Sequence, residues 1–134
     1  MAAQILVVED NAANLQLMLY VLRAFGHVPT PATDGRSGLH AAQGGGFDLI
    51  LCDVLMPGLD GYEFARRYKS EGVGRKAPLV AVTALAMVGD RESLLAAGFD
   101  GYIAKPIDPE HFVTQIEAFL PEALHADNGQ DPRR

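Results

Sequence analysis

The sequence predicts a doubly wound α/β sandwich built from five consecutive βα units. Three observations predict it. Short apolar runs rich in β-branched residues alternate with longer segments whose apolar residues recur every three or four positions. The runs are nearly continuous in their hydrophobicity, as strands covered on both faces must be. Finally, the runs stop at polar residues, so chemistry is gathered at one end of each strand.

Each element has a local reason. Ile5-Leu6-Val7-Val8 is the first strand, stopped by Glu9-Asp10. Leu15, Met18, Leu19, Leu22 and Phe25 mark one face of the first helix, with Asn11 placed to cap its start and Gly26 to end it. His27 to Thr30 is a weaker strand, broken by Pro29 and Pro31. Thr33 or Asp34 caps a second helix that runs to about Gln43 and ends in Gly44-Gly45-Gly46. Phe47 to Cys52 is the third strand, ending at Asp53, and Tyr62 to Ser70 the third helix. Leu79 to Val82 is the fourth strand, ended by Thr83; Met87 to Ala97 is the fourth helix, stopped by Gly98. Gly101 to Ala104 is a short fifth strand before Lys105-Pro106. Asp108-Pro109, an N-cap followed by proline at the first helical position, opens a last helix to about Leu120. Right-handed crossovers then give a five-stranded parallel sheet of the flavodoxin-like order 2-1-3-4-5. Residues 1–120 are expected to form the domain, and the polar segment 121–134 a disordered tail.

Composition narrows the function. A chain of 134 residues suits one domain and needs no disulfide or metal to fold. The net charge of −6, with basic residues adjacent only at Arg66-Arg67, Arg75-Lys76 and Arg133-Arg134, argues against a nucleic-acid partner. Cys52, the one cysteine, sits among apolar residues and reads as a small buried hydrophobe. The first residues carry no basic stretch of a signal peptide, and no apolar run approaches the ~18 residues of a membrane span. No membrane partner is expected, and the cytoplasm is the expected compartment.

In doubly wound sheets, ligands bind beyond the carboxyl ends of the strands. This chain places Glu9 and Asp10, Asp53, Thr83 and Lys105 there, on four neighbouring strands. Three carboxylates in one cleft repel one another, and a hard divalent cation relieves them. Mg²⁺, or Mn²⁺ in its place, is expected with Asp10 and Asp53 as direct ligands, Glu9 through a water, and the Leu55 carbonyl as a further ligand. Thr83, Lys105 and a backbone N–H near Ala84 suit an anion. A carboxylate nucleophile with positioned donors suffices for phosphoryl transfer, giving an aspartyl phosphate at Asp53.

Glu9-Asp10, Asp53-Val54-Leu55-Met56-Pro57-Gly58-Leu59-Asp60-Gly61, Thr83-Ala84 and Lys105-Pro106 together resemble the receiver domain of two-component response regulators. The resemblance covers residues 4 to about 120. The segments Glu9 to Asn14 and Val82 to Met87 are similar to the single-domain DivK-like group and to receivers of hybrid kinases. It implies a signalling phosphoacceptor rather than an enzyme acting on other molecules. Its phosphoryl donor would be a phosphohistidine of a sensor histidine kinase or phosphotransfer protein, and its output would be partner binding or phosphate relay. By the same resemblance Tyr102 is the aromatic switch paired with Thr83, Lys105-Pro106 is a cis peptide, and Asn14, Leu15, Met18, Pro106 and Ile107 dock partners. Leu15 and Met18 equally suit the core. No effector domain is expected after the last helix. Leu55 and Leu85, flanking the site, are expected to leave the phosphoryl group long-lived.

Three other functions compete. A dehalogenase-type hydrolase would need a second Asp two residues after the nucleophile, where Leu55 stands. A flavodoxin-like electron carrier would need a hydroxyl- and glycine-rich loop after the first strand, where Glu-Asp-Asn stands. A degenerate receiver, used only as a phosphorylation-independent binding module, would lack some of the key residues, and all of them are present. The four histidines lack metal-ligand spacing and read as surface or structural. Asp60-Gly61 reads as turn and cap chemistry.

Overall fold

A computed structural model describes residues 2–70, 77–84 and 88–125. Five strands, β1 (Gln4–Val8), β2 (Val28–Ala32), β3 (Leu49–Cys52), β4 (Leu79–Thr83) and β5 (Gly101–Ala104), form one parallel sheet in the order β2-β1-β3-β4-β5. The helices between and after them are α1 (Ala12–Ala24), α2 (Gly35–Gln43), α3 (Gly61–Ser70), α4 (Val88–Ala97) and α5 (Phe112–Glu117).

The sheet is covered on both faces, as the continuous apolar runs predict. Successive residues of a strand point to opposite sides. Ile5 and Val7 of β1 join Leu49, Leu51, Val80 and Val82 in a core closed by α1 and α5. Leu6 and Val8 join Ile50, Cys52 and Ala81 in a second core closed by α2, α3 and α4. Cys52 is buried there, and burial, with Asp53 beside it, holds its thiol well above the usual range. That is the inert hydrophobe the sequence suggests.

The caps fall where the residue types place them. The Asn11 side chain accepts the Asn14 N–H at 2.9 Å, and Asp34 accepts that of Ser37 at 2.7 Å. Gly26, at φ 86°, ends α1 with its N–H on the Arg23 carbonyl, followed by His27 N–H on Leu22.

Two elements depart from the sequence reading. β2 runs through both prolines to Ala32 instead of breaking at them. It is an edge strand: Val28 N–H and the Ala32 carbonyl bond toward β1, so alternating Pro29 and Pro31 turn their missing donors outward. α5 begins at Phe112, not at Pro109. The Asp108 carbonyl accepts both His111 and Phe112 N–H, and its side chain accepts Glu110 N–H at 3.1 Å. Asp108 thus holds residues 109–111 in a separate tight turn before the helical ladder starts. Beyond α5, Glu122–Leu124 form a short 3₁₀ turn with Leu124 against the α1–α5 core. Met87 and residues 126–134 lie outside the described residues.

One close approach ties the fold to the strand ends. A Cβ on Gly61 would lie 2.5 Å from Val54 Cα and 2.6 Å from the Asp53 carbonyl oxygen. Backbone cannot give way as a flexible side chain can. Gly61→Ala is therefore expected to destabilise the protein by about 1–3 kcal/mol. Gly89→Ala, where a Cβ in α4 meets nothing within 4 Å among the described residues, is expected to be neutral or stabilising by up to ~1 kcal/mol. Urea unfolding of the two variants checks the contrast, and equal midpoints would contradict it.

Candidate functional site

Four strands deliver their terminal residues to one rim by carrying the parallel ladder one step further. Glu9 N–H bonds to the Ala32 carbonyl (3.0 Å), Asp53 N–H to Val8 (2.9 Å) and Lys105 N–H to Thr83 (2.9 Å). Val8 pairs with Cys52 and Thr83 with Ala104, so the residues that follow are brought level. On the α3 side, Asp60 caps the helix through Glu63 N–H at 2.9 Å, and Gly61 N–H bonds to the Val54 carbonyl at 2.9 Å. The Asp60-Gly61 pair therefore does the turn and cap work read from the sequence, and it folds the loop after Asp53 tightly against the rim.

The side chains meet closely. One carboxylate oxygen from each of Glu9, Asp10 and Asp53 lies within 4.8 Å of the others. Lys105 Nζ stands 2.7 Å from Glu9 Oε1 and 3.1 Å from Asp53 Oδ2. Glu9 is fully buried, Asp53 nearly so, and Asp10 exposed. Asn11 N–H donates to Glu9 Oε2 at 3.2 Å, and Leu55 N–H to Asp53 Oδ1 at 3.3 Å. Thr83 is buried at the end of β4, with Ala84 exposed beside it.

Two buried carboxylates share one ammonium, and the charge balance shows it. Burial pushes the Glu9 carboxyl from 4.5 up to about 7; Lys105 pulls it down, and Asp53 works against that. Burial also works against the Lys105 charge, but Glu9 and Asp53 outweigh it and raise the ammonium above its ordinary value. Glu9 Oε1 is paired with the Lys105 ammonium at 2.7 Å, and the same ammonium serves Asp53 Oδ2 at 3.1 Å. The rim is thus short of positive charge. Three oxygen ligands in that state fit a hard divalent cation.

The structure brings together Glu9, Asp10, Asp53 and Lys105, with Leu55 N–H on Asp53; Thr83 ends the neighbouring strand β4, its carbonyl accepting the Lys105 N–H, and Ala84 follows it in the chain. Leu55 is 58% exposed at the mouth of the site; Leu85 lies outside the described residues. Lys105-Pro106 is cis. Tyr102, on β5 opposite Ala81, is 38% exposed. The docking set needs correction. Leu15, Met18 and Ile107 are buried in the α1–α5 core, because the stripe that defines α1 is the face turned to the sheet. Asn14 is half-buried and Pro106 exposed, so those two remain at the surface. Tyr20 is 72% exposed on α1, and its position off the apolar stripe marks it as a surface residue.

A family profile described as "Response regulator receiver domain" matches residues 5–117. Over 99% of its length the chain is 41% identical to the sensor histidine kinase GacS of Pseudomonas protegens, of which it spans 14%. It is 34% identical to the polar-differentiation response regulator DivK of Brucella anthropi, over 92% of this chain and all of that protein. Its fold is similar to the receiver domain of sensor histidine kinase PA1611 of Pseudomonas aeruginosa, whose structure has a magnesium ion coordinated in the active-site cleft. There the TM-score is 0.80 at 35% identity, over 89% of this chain and 98% of that one.

The raised Glu9 carboxyl fixes a pH dependence. Without metal, the folded state keeps a proton that the unfolded chain releases between pH 4.5 and about 7. The stabilisation is complete below 4.5 and lost as pH rises through about 7. Glu9→Gln carries no charge to titrate. Its melting temperature in EDTA is expected to gain on wild type steadily across that window. A constant difference between the two proteins would contradict the assignment.

Proposed function

The chain belongs to the response regulator receiver domain family, and from that membership we propose that Asp53 accepts the phosphoryl group of a phosphohistidine on a sensor histidine kinase or phosphotransfer protein. The observation that carries the assignment is the Asp53 carboxylate facing Lys105 Nζ at 3.1 Å, with Glu9 and Asp10 within reach of the same point.

The residues divide the work. An Asp53 oxygen attacks phosphorus while the phosphorus–nitrogen bond breaks. The bonding pair returns to the ring, which leaves as neutral imidazole when its other nitrogen carries a proton. Lys105 exchanges part of its contact with Asp53 for a phosphoryl oxygen, so its charge follows the charge that moves. The Thr83 hydroxyl and the Ala84 N–H donate to the remaining oxygens. Asp10 and Asp53, Glu9 across a water, and the Leu55 carbonyl would hold Mg²⁺, which supplies neutralisation of the clustered carboxylates and phosphoryl oxygens. The protein thus assists only its own phosphorylation and dephosphorylation.

Output follows from the same contacts. Thr83 is drawn toward the phosphoryl group, and Tyr102, exposed at rest, turns into the space this leaves. The surface formed by α4, β5 and α5 changes with it, and a downstream protein partner or a further phosphotransfer protein reads the change. A few new charge-assisted hydrogen bonds suffice to bias such a two-state element.

Incubation with Mg²⁺ and acetyl phosphate is expected to add one phosphoryl group, detected by mass spectrometry. Asp53→Asn, or EDTA, should abolish the addition. A wild-type protein that gains nothing, or a variant that gains as much, would leave only the phosphorylation-independent reading. Leu55, exposed at the mouth of the site, offers no polar group to orient an attacking water. The phosphoryl half-life is therefore expected to exceed minutes and to shorten severalfold in Leu55→Asn. Acid-quenched phosphate release measures it, and a wild-type half-life of seconds would remove the idea.

A further inference from the structure

Away from the phosphoacceptor site, α2 and α3 bound an open groove of about 430 Å³ lined by Arg36, Gly58, Leu59, Asp60, Glu63, Arg66 and Arg67. Three of the chain's eleven lysines and arginines meet there, on a protein of net charge −6. They come from two elements, Arg36 from the first turn of α2 and Arg66 and Arg67 from α3, so the groove is not one solvated helix face. Its walls are fixed: a Cβ on Gly35 would lie 2.1 Å from the Leu59 carbonyl oxygen, so the start of α2 sits directly on the loop that forms the floor.

The carboxylates lining the groove are already engaged. Asp60 caps α3 through Glu63 N–H at 2.9 Å. Glu63 holds Arg66 Nε at 3.3 Å with one oxygen and Arg67 Nε at 3.6 Å with the other. These are exposed helix pairs of the weak kind, and they use one edge of each guanidinium. Arg66 and Arg67 meet Glu63 through Nε, and among the described residues the Arg36 guanidinium has no ion pair, although it acts at a distance on Asp34. Guanidinium forks are matched to carboxylates, which they grip with two parallel bonds. The groove is open, has the apolar Leu59 in its floor, and has no aromatic ring among its lining residues against which a nucleobase would stack.

The geometry points to a docking groove for an acidic peptide segment of a partner protein, seated between α2 and α3 with its carboxylates on Arg36, Arg66 and Arg67. The groove includes the loop from Gly58 to Asp60, which follows Asp53 in the chain. An occupant there touches the loop next to the phosphoacceptor without covering Asp53 itself. The inference stands independently of the phosphoryl chemistry.

An NMR titration of hexaglutamate into the full chain tests it, without metal and at low ionic strength. Shifts are expected at the Gly58, Leu59 and Asp60 amides and at the Nε–H signals of the three arginines, weakening as salt is added. The triple variant R36Q/R66Q/R67Q is expected to lose at least tenfold in affinity, and R36Q alone about threefold, with amide dispersion unchanged. Phosphorylation by acetyl phosphate should proceed in the variants as in wild type. Absent shifts, shifts centred on another face, or unaltered affinity in the variants would overturn the proposal. So would pyrophosphate occupying the groove while hexaglutamate does not.

Discussion

One ammonium set between two buried carboxylates organises the strand-end rim. Glu9, Asp53 and Lys105 come from the ends of β1, β3 and β5, and they meet because the parallel ladder brings those ends level. Lys105 offsets the cost of burying Glu9 and Asp53 together, but one positive charge serves two negative ones and Asp10 stands close by. The resting site is therefore held short of electrostatic balance. A cation and a phosphoryl group are the partners we propose to complete it, so that the imbalance that costs stability at neutral pH would be the property the function uses.

The remainder of the fold keeps that rim in register. Two apolar cores clamp the sheet from opposite faces, and alternation along each strand settles which side chain goes to which core. Gly61 brings α3 against the backbone of Asp53 and Val54, so the loop after Asp53 has little freedom. Asp60 holds the same turn from its other end. Packing and caps therefore fix the positions of groups whose mutual repulsion would otherwise spread them.

Much of this was legible in the sequence, for identifiable reasons. A strand of continuous apolar residues ending in an acid, a hydroxyl or a lysine announces both the element and the place where its chemistry stands. Asp10, Asp53, Thr83 and Lys105 could be gathered at one edge once the strand order was known. The Asn11 and Asp34 caps and the Gly26 stop are local and were legible in the same way. What depended on distant partners was not. That Lys105 would lie nearer Glu9 than Asp53 cannot be read from residues so far apart in the chain. The course of β2 through two prolines needs the knowledge that it is an edge with its outward donors unneeded. Leu15 and Met18 show the converse: core and docking were both open for them from the sequence, and the periodicity of α1 that turns them inward favours the core, where Ile107 is buried with them.

The most direct measurement is a crystal structure of the full chain with Mg²⁺ and fluoroberyllate, a mimic of the phosphoryl group. The account predicts beryllium bonded to an Asp53 carboxylate oxygen, with Lys105 Nζ, Thr83 Oγ1 and Ala84 N each within hydrogen-bonding distance of a fluorine. Fluoroberyllate bound elsewhere, or bound at Asp53 while Lys105 stays on Glu9 and makes no contact with it, would contradict the account.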